Sequence, residues 1–298
     1  MSKKQDIDKP TGEDMVDLLV AAGIDPDEIA DAFGEEGIGD WDEEEEDEDY
    51  LDEIDTDKMI RAISTTALRE GPDDFCEFVS ANFDEIVEGN KMDERVGDIL
   101  LIGYKIGLAQ ENGRSANDLG VLFYMGQIFK QDYKQATRLY KKAYRWGHYQ
   151  GLINLGYVYE YGRTGEKDYA KAYQCYSVAA ALTENYEAIY KLGDVYARGY
   201  LGKPDMDTAM ELWEKSYDIA QRPPQTAQPA FRIAQQYLKP GKYFDPEFDP
   251  LHALRLFQEA ETGLRISVAL GHPYYKERLQ EAIEGQRQAR KVLDSTSK

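Results

Sequence analysis

The chain has 298 residues, 42% of them hydrophobic, and a formal net charge of −22. That length supports one large or two small units with a sizeable core. Without an apolar run of about 18 residues no transmembrane span is expected, and the acidic balance argues against a general binder of nucleic-acid backbone.

The charge is concentrated. Residues 1–57 hold 24 acidic and 3 basic side chains, and the remaining 241 residues are nearly neutral. Within the arm, Thr11 and Asp14 make an approximate capping box ahead of Met15, Val16, Leu18 and Leu19. Asp25 and Pro26 open a second short helix carrying Ile29, Ala30 and Phe33, and Gly34 stops it. Residues 1–36 therefore read as a helical hairpin that either docks on the body or folds on a partner. The run DWDEEEEDEDYLDEIDTD, Asp40–Asp57, repels itself and offers little apolar area, so 37–57 reads as a disordered acidic linker. Its role is either solubilisation or occupation of a basic surface on this or another protein. A Ca²⁺ loop is disfavoured, because the run lacks a glycine at the sixth loop position. Met1–Asp6 enters acidic rather than apolar sequence, so no secretory signal is expected. Only two cysteines are present, and Cys76 and Cys175 form no disulfide framework, which points to a reducing, cytoplasmic setting.

Three helices are expected next, over Asp57–Arg69, Asp73–Val87 and Met92–Gln110, with Gly113 closing the last. Residues 58–115 read as an N-terminal helical cap or a degenerate repeat. From Ala116 the chain then repeats itself. Leu119, Leu155, Leu192 and Ile233 correspond, as do Gly120, Gly156, Gly193 and Ala234. Three residues on come Phe123, Tyr159, Tyr196 and Tyr237, then Gly126, Gly162, Gly199 and Pro240. A fixed period of this length signals a solenoid. Leucine, glycine and aromatic share one face of a first helix, helix A. Its internal glycine costs about 1 kcal/mol of propensity, which suggests close approach by a neighbour. The second glycine ends helix A. Asp132, Asp168, Asp205 and Asp249 then stand where an N-cap suits helix B. Helix B carries Ala136, Ala172, Ala209 and Ala253, an aromatic four residues on (Tyr140, Tyr176, Trp213, Phe257) and a small residue at the seventh (Ala143, Ala179, Ser216, Ala260). These read as packing positions, not as a cofactor site.

The pattern LGxxYxxG, then Asp, then Ala-x-x-x-aromatic-x-x-Ala, resembles the Sel-one-like repeat, a relative of the tetratricopeptide repeat. Three copies match closely and a fourth, with Ala234, Pro240 and a longer loop, departs from the pattern. The resemblance implies an all-α fold, a right-handed α/α superhelical solenoid over about residues 116–268 that acts as an adaptor without catalysis. The cysteine pair that staples some secreted bacterial members is not in this sequence. Residues 269–298 read as a C-terminal cap, with a helix over Pro273–Leu293 whose Tyr274, Leu279, Ala282 and Ile283 face inward.

No catalytic constellation emerges. His148, His252 and His272 lack metal-ligand spacing with each other or with cysteine, and neither cysteine has a basic neighbour in sequence to activate it. No catalytic residue, metal or cofactor is expected, and a hydrolase or transferase assembled only in three dimensions is the remaining alternative. Function is then sought on the face opposite the buried stripe of helix A, at positions −2, +1 and +5 from the glycine. In repeats two to four these include Asn154, Tyr157, Tyr161, Lys191, Asp194, Arg198, Arg232 and Gln235. In an array of this kind they line a concave groove suited to a partner peptide or helix. Helix B of the first repeat adds a basic strip, Lys134, Arg138, Lys141, Lys142 and Arg145. The expected partner is thus a protein rather than nucleic acid or membrane. The acidic arm is a candidate modulator that could mask the chain's own basic surface.

Overall fold

The computed structural model describes residues 55–239, 248–270 and 273–296. The expected hairpin over residues 11–34 and the acidic run up to residue 54 lie outside them. Among the described residues every regular element is a helix. The chain divides into two compact units, residues 1–151 and 152–298.

In the first unit α1 spans Thr56–Arg69, α2 Pro72–Ala81, α3 Phe83–Met92, α4 Arg95–Ala109, α5 Gly113–Met125 and α6 Tyr133–Arg145. Asp55 caps α1 by accepting the Lys58 N–H at 2.9 Å, and Asp57 pairs with Arg95 at 2.9 Å. The last three residues assigned to the acidic linker therefore belong to α1 and its N-cap. The helix expected over residues 73–87 is two helices. At Asn82 the backbone leaves the helical region, with φ −110° and ψ 21°. Its amide also donates to the Phe78 carbonyl at 2.8 Å, a local side-chain bond that competes with helix continuation. Gly113 does not close α4 but opens α5, where Asn112 accepts the Ser115 N–H at 2.7 Å. Ile63, Phe75, Val79, Ile86, Ile99, Leu100, Tyr104 and Leu119 form the core. Each fully buried apolar side chain there contributes about 1.5–3 kcal/mol.

The second unit takes most of α7 (Gln150–Tyr161), then α8 (Tyr169–Thr183), α9 (Tyr186–Arg198), α10 (Met206–Ala220), α11 (Ala227–Tyr237), α12 (Pro250–Ala269) and α13 (Lys276–Thr296). Four helix pairs share one construction. The aspartate before each helix B accepts backbone N–H groups: Asp132 from Gln135, Asp168 from Lys171, Asp205 from Thr208, and Asp249 from Leu251 and His252. The same aspartates donate their backbone N–H back to the carbonyls of Phe123, Tyr159, Tyr196 and Tyr237, at 2.9, 2.9, 3.0 and 3.0 Å. One bond thus closes each loop whatever its length, the long fourth loop included. Gly126 ends α5 at φ 71° with Gly162 and Gly199 both at φ 63°, the left-handed conformation that a Cβ disfavours.

The internal glycines mark close approach. A Cβ on Gly120 would come within 2.7 Å of the Tyr140 ring, and one on Gly193 within 2.5 Å of Trp213. Gly156 faces Tyr176 in the same way. The fourth pair, with Ala234, shifts the device. There Gly285 of α13 lies against the Phe257 ring, where a Cβ would come within 2.5 Å. Leu279 and Ala282 are buried as expected. Tyr274 is not: it is 58% exposed, and Tyr275 is the half-buried ring. Residues 273–275 form a 3₁₀ turn, so α13 begins only at Lys276 and the expected helical phase does not extend back to Tyr274.

Candidate functional site

The outward positions of α7, α9 and α11 meet in a charged, tyrosine-rich cluster. Lys191 and Asp194, on consecutive turns of α9, are each only 3% exposed, and Arg232 of α11 is buried as well. The sequence pattern placed these three on a solvent-facing arc. They are covered instead, because helix A of one repeat packs against helix A of the next, a neighbour that the periodicity of a single helix does not show.

Each buried charge is matched. Lys191 Nζ lies 2.6 Å from Glu160 Oε2, which also accepts from the Tyr176 hydroxyl at 2.8 Å. The ammonium sits 4.8 Å from the centre of the Tyr157 ring, a favourable electrostatic contact with the ring face. Arg232 grips Asp194 with two nitrogens, Nε and Nη2, the latter at 2.6 Å from Oδ2. The Trp213 indole N–H donates to Asp194 Oδ1 at 3.2 Å. Arg232 also donates to the Gln228 carbonyl and side chain at 2.8 and 2.7 Å and lies 4.7 Å from the Tyr190 ring centre. Burial alone would raise the Asp194 carboxyl. The Arg232 charge and hydrogen bonds, with Lys191 and Arg198 beyond, outweigh it and hold that carboxyl below the usual range. Tyr157 donates to Glu187 at 2.8 Å and meets the Tyr190 hydroxyl at 3.1 Å. Burial pushes both phenols well upward, so they remain neutral donors.

Glu160, absent from the expected residues, is the hinge of this arrangement. Among the described residues its Oε1 has no hydrogen-bond partner, and Arg198 Nη1 stands 3.7 Å away. Its equivalents at four residues past the glycine are Tyr124, Ala197 and Leu238, so a lone carboxylate among non-acidic residues was the available signal. Three expected residues stay open. Tyr161 is 44% exposed, the Arg198 side chain is 47% exposed, and Gln235 is exposed, while Asn154 is half-buried. The Tyr161 ring stacks parallel to Tyr157, 6.0 Å between centres, and Arg198 donates to the Tyr200 hydroxyl at 2.6 Å. Beside them Arg278 of α13 lies 4.6 Å from the Phe231 ring centre.

In the first unit Lys134, Arg138, Lys141, Lys142 and Arg145 are all exposed on one face of α6. Cys76 is buried against Ser115 at 3.5 Å, and burial first, then Asp118, pushes its thiol up to about 12, which removes it as a nucleophile. His148 is half-buried and its pKa is lowered, chiefly by burial. The His252 ring packs edge-on to Tyr237 at 4.7 Å, and His272 lies outside the described residues. Among the described residues no three His, Cys, Asp or Glu could hold a metal ion, and no helix is long and apolar enough to cross a membrane.

Paired antiparallel helices joined by capped loops and stacked through glycine–aromatic seams define an α/α solenoid. More narrowly, residues 113–148, 150–183 and 187–218 match the Sel1 repeat model, so the chain carries three Sel1 repeats there. The fourth pair, though built alike, lies outside the match. Among solved structures, the chain is similar to a Sel1 repeat protein from Oxalobacter formigenes, at 20% identity and TM-score 0.51, over 80% of this chain and 100% of that one. A protective antigen present in uropathogenic Escherichia coli strains, displaying an SLR fold, aligns at 18% identity and TM-score 0.47, over 80% of this chain and 57% of that one. No curated protein matches the chain. Sel1 repeat proteins generally mediate protein–protein interaction, and the repeat is typically a non-enzymatic scaffold fold.

Proposed function

We propose that this chain is a non-catalytic scaffold that binds a partner protein segment along the A-helix face of its second unit, the groove side of the solenoid. The observation that carries the reading is the exposed Tyr161–Arg198 pair, set on a base of two buried ion pairs. Tyrosine and arginine dominate binding hot spots, and side chains already held in place lose little freedom on association. Tyr161 is held by stacking on Tyr157 and Arg198 by its bond to Tyr200. The partner segment supplies a carboxylate for Arg198 and an apolar or aromatic side chain for Tyr161, with the exposed Gln235 nearby for hydrogen bonding. Lys191, Asp194 and Arg232 do not touch it, and they hold the platform in register.

The test is a comparison of the native full-length chain with a Tyr161→Ala/Arg198→Ala double variant. Partners captured by the native chain are identified, and each is then titrated against both proteins by calorimetry. Losing one hot-spot side chain costs about 2 kcal/mol, roughly thirtyfold in affinity. Both residues are exposed, so helix content by circular dichroism stays the same. Equal affinity of the two proteins for every partner would remove this face from function.

A further inference from the structure

On the outer face of α6 five cations gather, and the helix itself carries no acidic residue. Lys134, Arg138, Lys141, Lys142 and Arg145 recur at spacings that place them on one side of the helix, and all five are exposed. Among the described residues none of them forms an ion pair. Arg138 bonds the neutral Gln135 side chain at 3.0 Å, and Lys142 rests 5.5 Å from the Trp146 ring centre. Several exposed cations elsewhere do have carboxylates: Lys91 with Glu88, Arg95 with Asp57 and Asp93, Lys171 with Asp168, Arg265 with Glu261, and Arg287 with Glu284. Like charges at i and i+4 repel along a helix, so the α6 face is unsatisfied in isolation.

The complement is in the same chain. Residues 40–54 carry eleven carboxylates and no cation, and they enter the described structure at Asp55, in the same unit as α6. Fifteen extended residues span about 50 Å. A globular unit of about 100 residues has a radius of gyration near 13 Å, so the run reaches any point on its own unit. Covalent attachment alone gives an effective concentration on the order of millimolar, which makes a weak electrostatic contact sufficient. Trp41, Tyr50 and Leu51 can also lie along the aliphatic stems of the lysines.

We infer that residues 40–54 are the occupant of the cationic outer face of α6 within one molecule, in competition with other anionic partners. This contact is independent of the groove reading and stands or falls without it.

Zero-length carbodiimide cross-linking of the native full-length chain tests it, because lysine–carboxylate amides form only across direct contacts. The expected product is monomeric, with residues 40–53 joined to Lys134, Lys141 or Lys142. Its yield falls several-fold at 1 M salt, where the screening length shrinks to about 3 Å. A full-length Arg138→Gln/Arg145→Gln variant keeps all three reporter lysines and gives a several-fold lower yield. Neutralising the carboxylates at 42–49 to their amides raises acetylation of the same lysines several-fold, and it lets the chain bind polyglutamate, which the native chain excludes. Cross-links spread evenly over the lysines of the chain, or formed only between molecules, would overturn the contact. So would α6 lysines equally reactive in the native and neutralised chains. A native chain that binds anionic vesicles or single-stranded RNA as tightly as the neutralised one would show the face to be open, and would overturn it equally.

Discussion

Two charged regions of this molecule use the same residue types to opposite ends. In the second unit Lys191, Asp194 and Arg232 are buried, and each is matched by an opposite charge from a neighbouring helix. On α6 five cations stand in solvent with no carboxylate of their own among the described residues. Buried pairs contribute little net stability over apolar packing, but they penalise any register that would leave one of their charges alone. Exposed cations contribute almost nothing to folding and are free to meet a ligand. The contrast separates charges that hold repeats together from charges that face outward.

The sharpest way to break the comparison is to remove one partner of the buried pair. Arg232→Ala leaves the Asp194 carboxylate enclosed by Trp213 and α9, and it is expected to cost about 3–5 kcal/mol in denaturant unfolding. Replacing both residues with well-packed apolar side chains should restore most of that. A single-variant cost below about 1 kcal/mol would show the pair to be solvated, contrary to its burial.

Next in size, Gly156→Ala forces a methyl into the Tyr176 ring, at a cost of about 1–3 kcal/mol from overpacking. Unchanged stability would mean the seam yields, and close approach would then not explain the recurring glycine.

The pair also has a pH signature. Asp194 has its carboxyl lowered from the ordinary 3.8 in the folded chain. Its contribution is therefore complete above that ordinary value and is lost as pH falls through the lower folded value. The stability gap between the native chain and Asp194→Asn should stay constant from neutral pH down to about 4, then close in stronger acid. A gap that closes by neutral pH would contradict the lowered carboxyl.

At a smaller scale, Asp168→Ala removes an N-cap and should cost about 1 kcal/mol. Lys141→Ala on α6 should shift stability by no more than about 0.5 kcal/mol. If Lys141→Ala proved the costlier of the two, α6 would belong with the structural charges.

Much of the architecture was legible because the chain states it repeatedly, the aspartates four times and the glycines three. The capping aspartates, the left-handed glycines and the glycine–aromatic contacts each recur at fixed offsets, and a constraint that is local in sequence survives into the fold. What escaped depends on neighbours the pattern cannot see. Position −2 and position +1 from the glycine fall on one arc of a helix, but whether that arc meets water or the next helix is decided by the adjacent repeat. Lys191, Asp194 and Arg232 were therefore expected outside and are inside. Glu160 went unnoticed because its role exists only once Lys191 arrives from α9. Asn82 split an expected helix through a side-chain bond that hydrophobic periodicity does not encode, and Tyr274 lost its phase to one turn of 3₁₀ helix.

Gly285 settles which helix covers the fourth pair. By laying its bare backbone on the Phe257 ring, α13 takes the seat that a further helix would need, and it turns Lys276, Glu277, Glu281, Glu284 and Arg287 toward water. Repeat arrays need a polar outer layer at their ends to stay soluble. With that seat filled by α13, the Phe257 ring is covered from within the chain, through a contact that a single residue without a side chain makes possible.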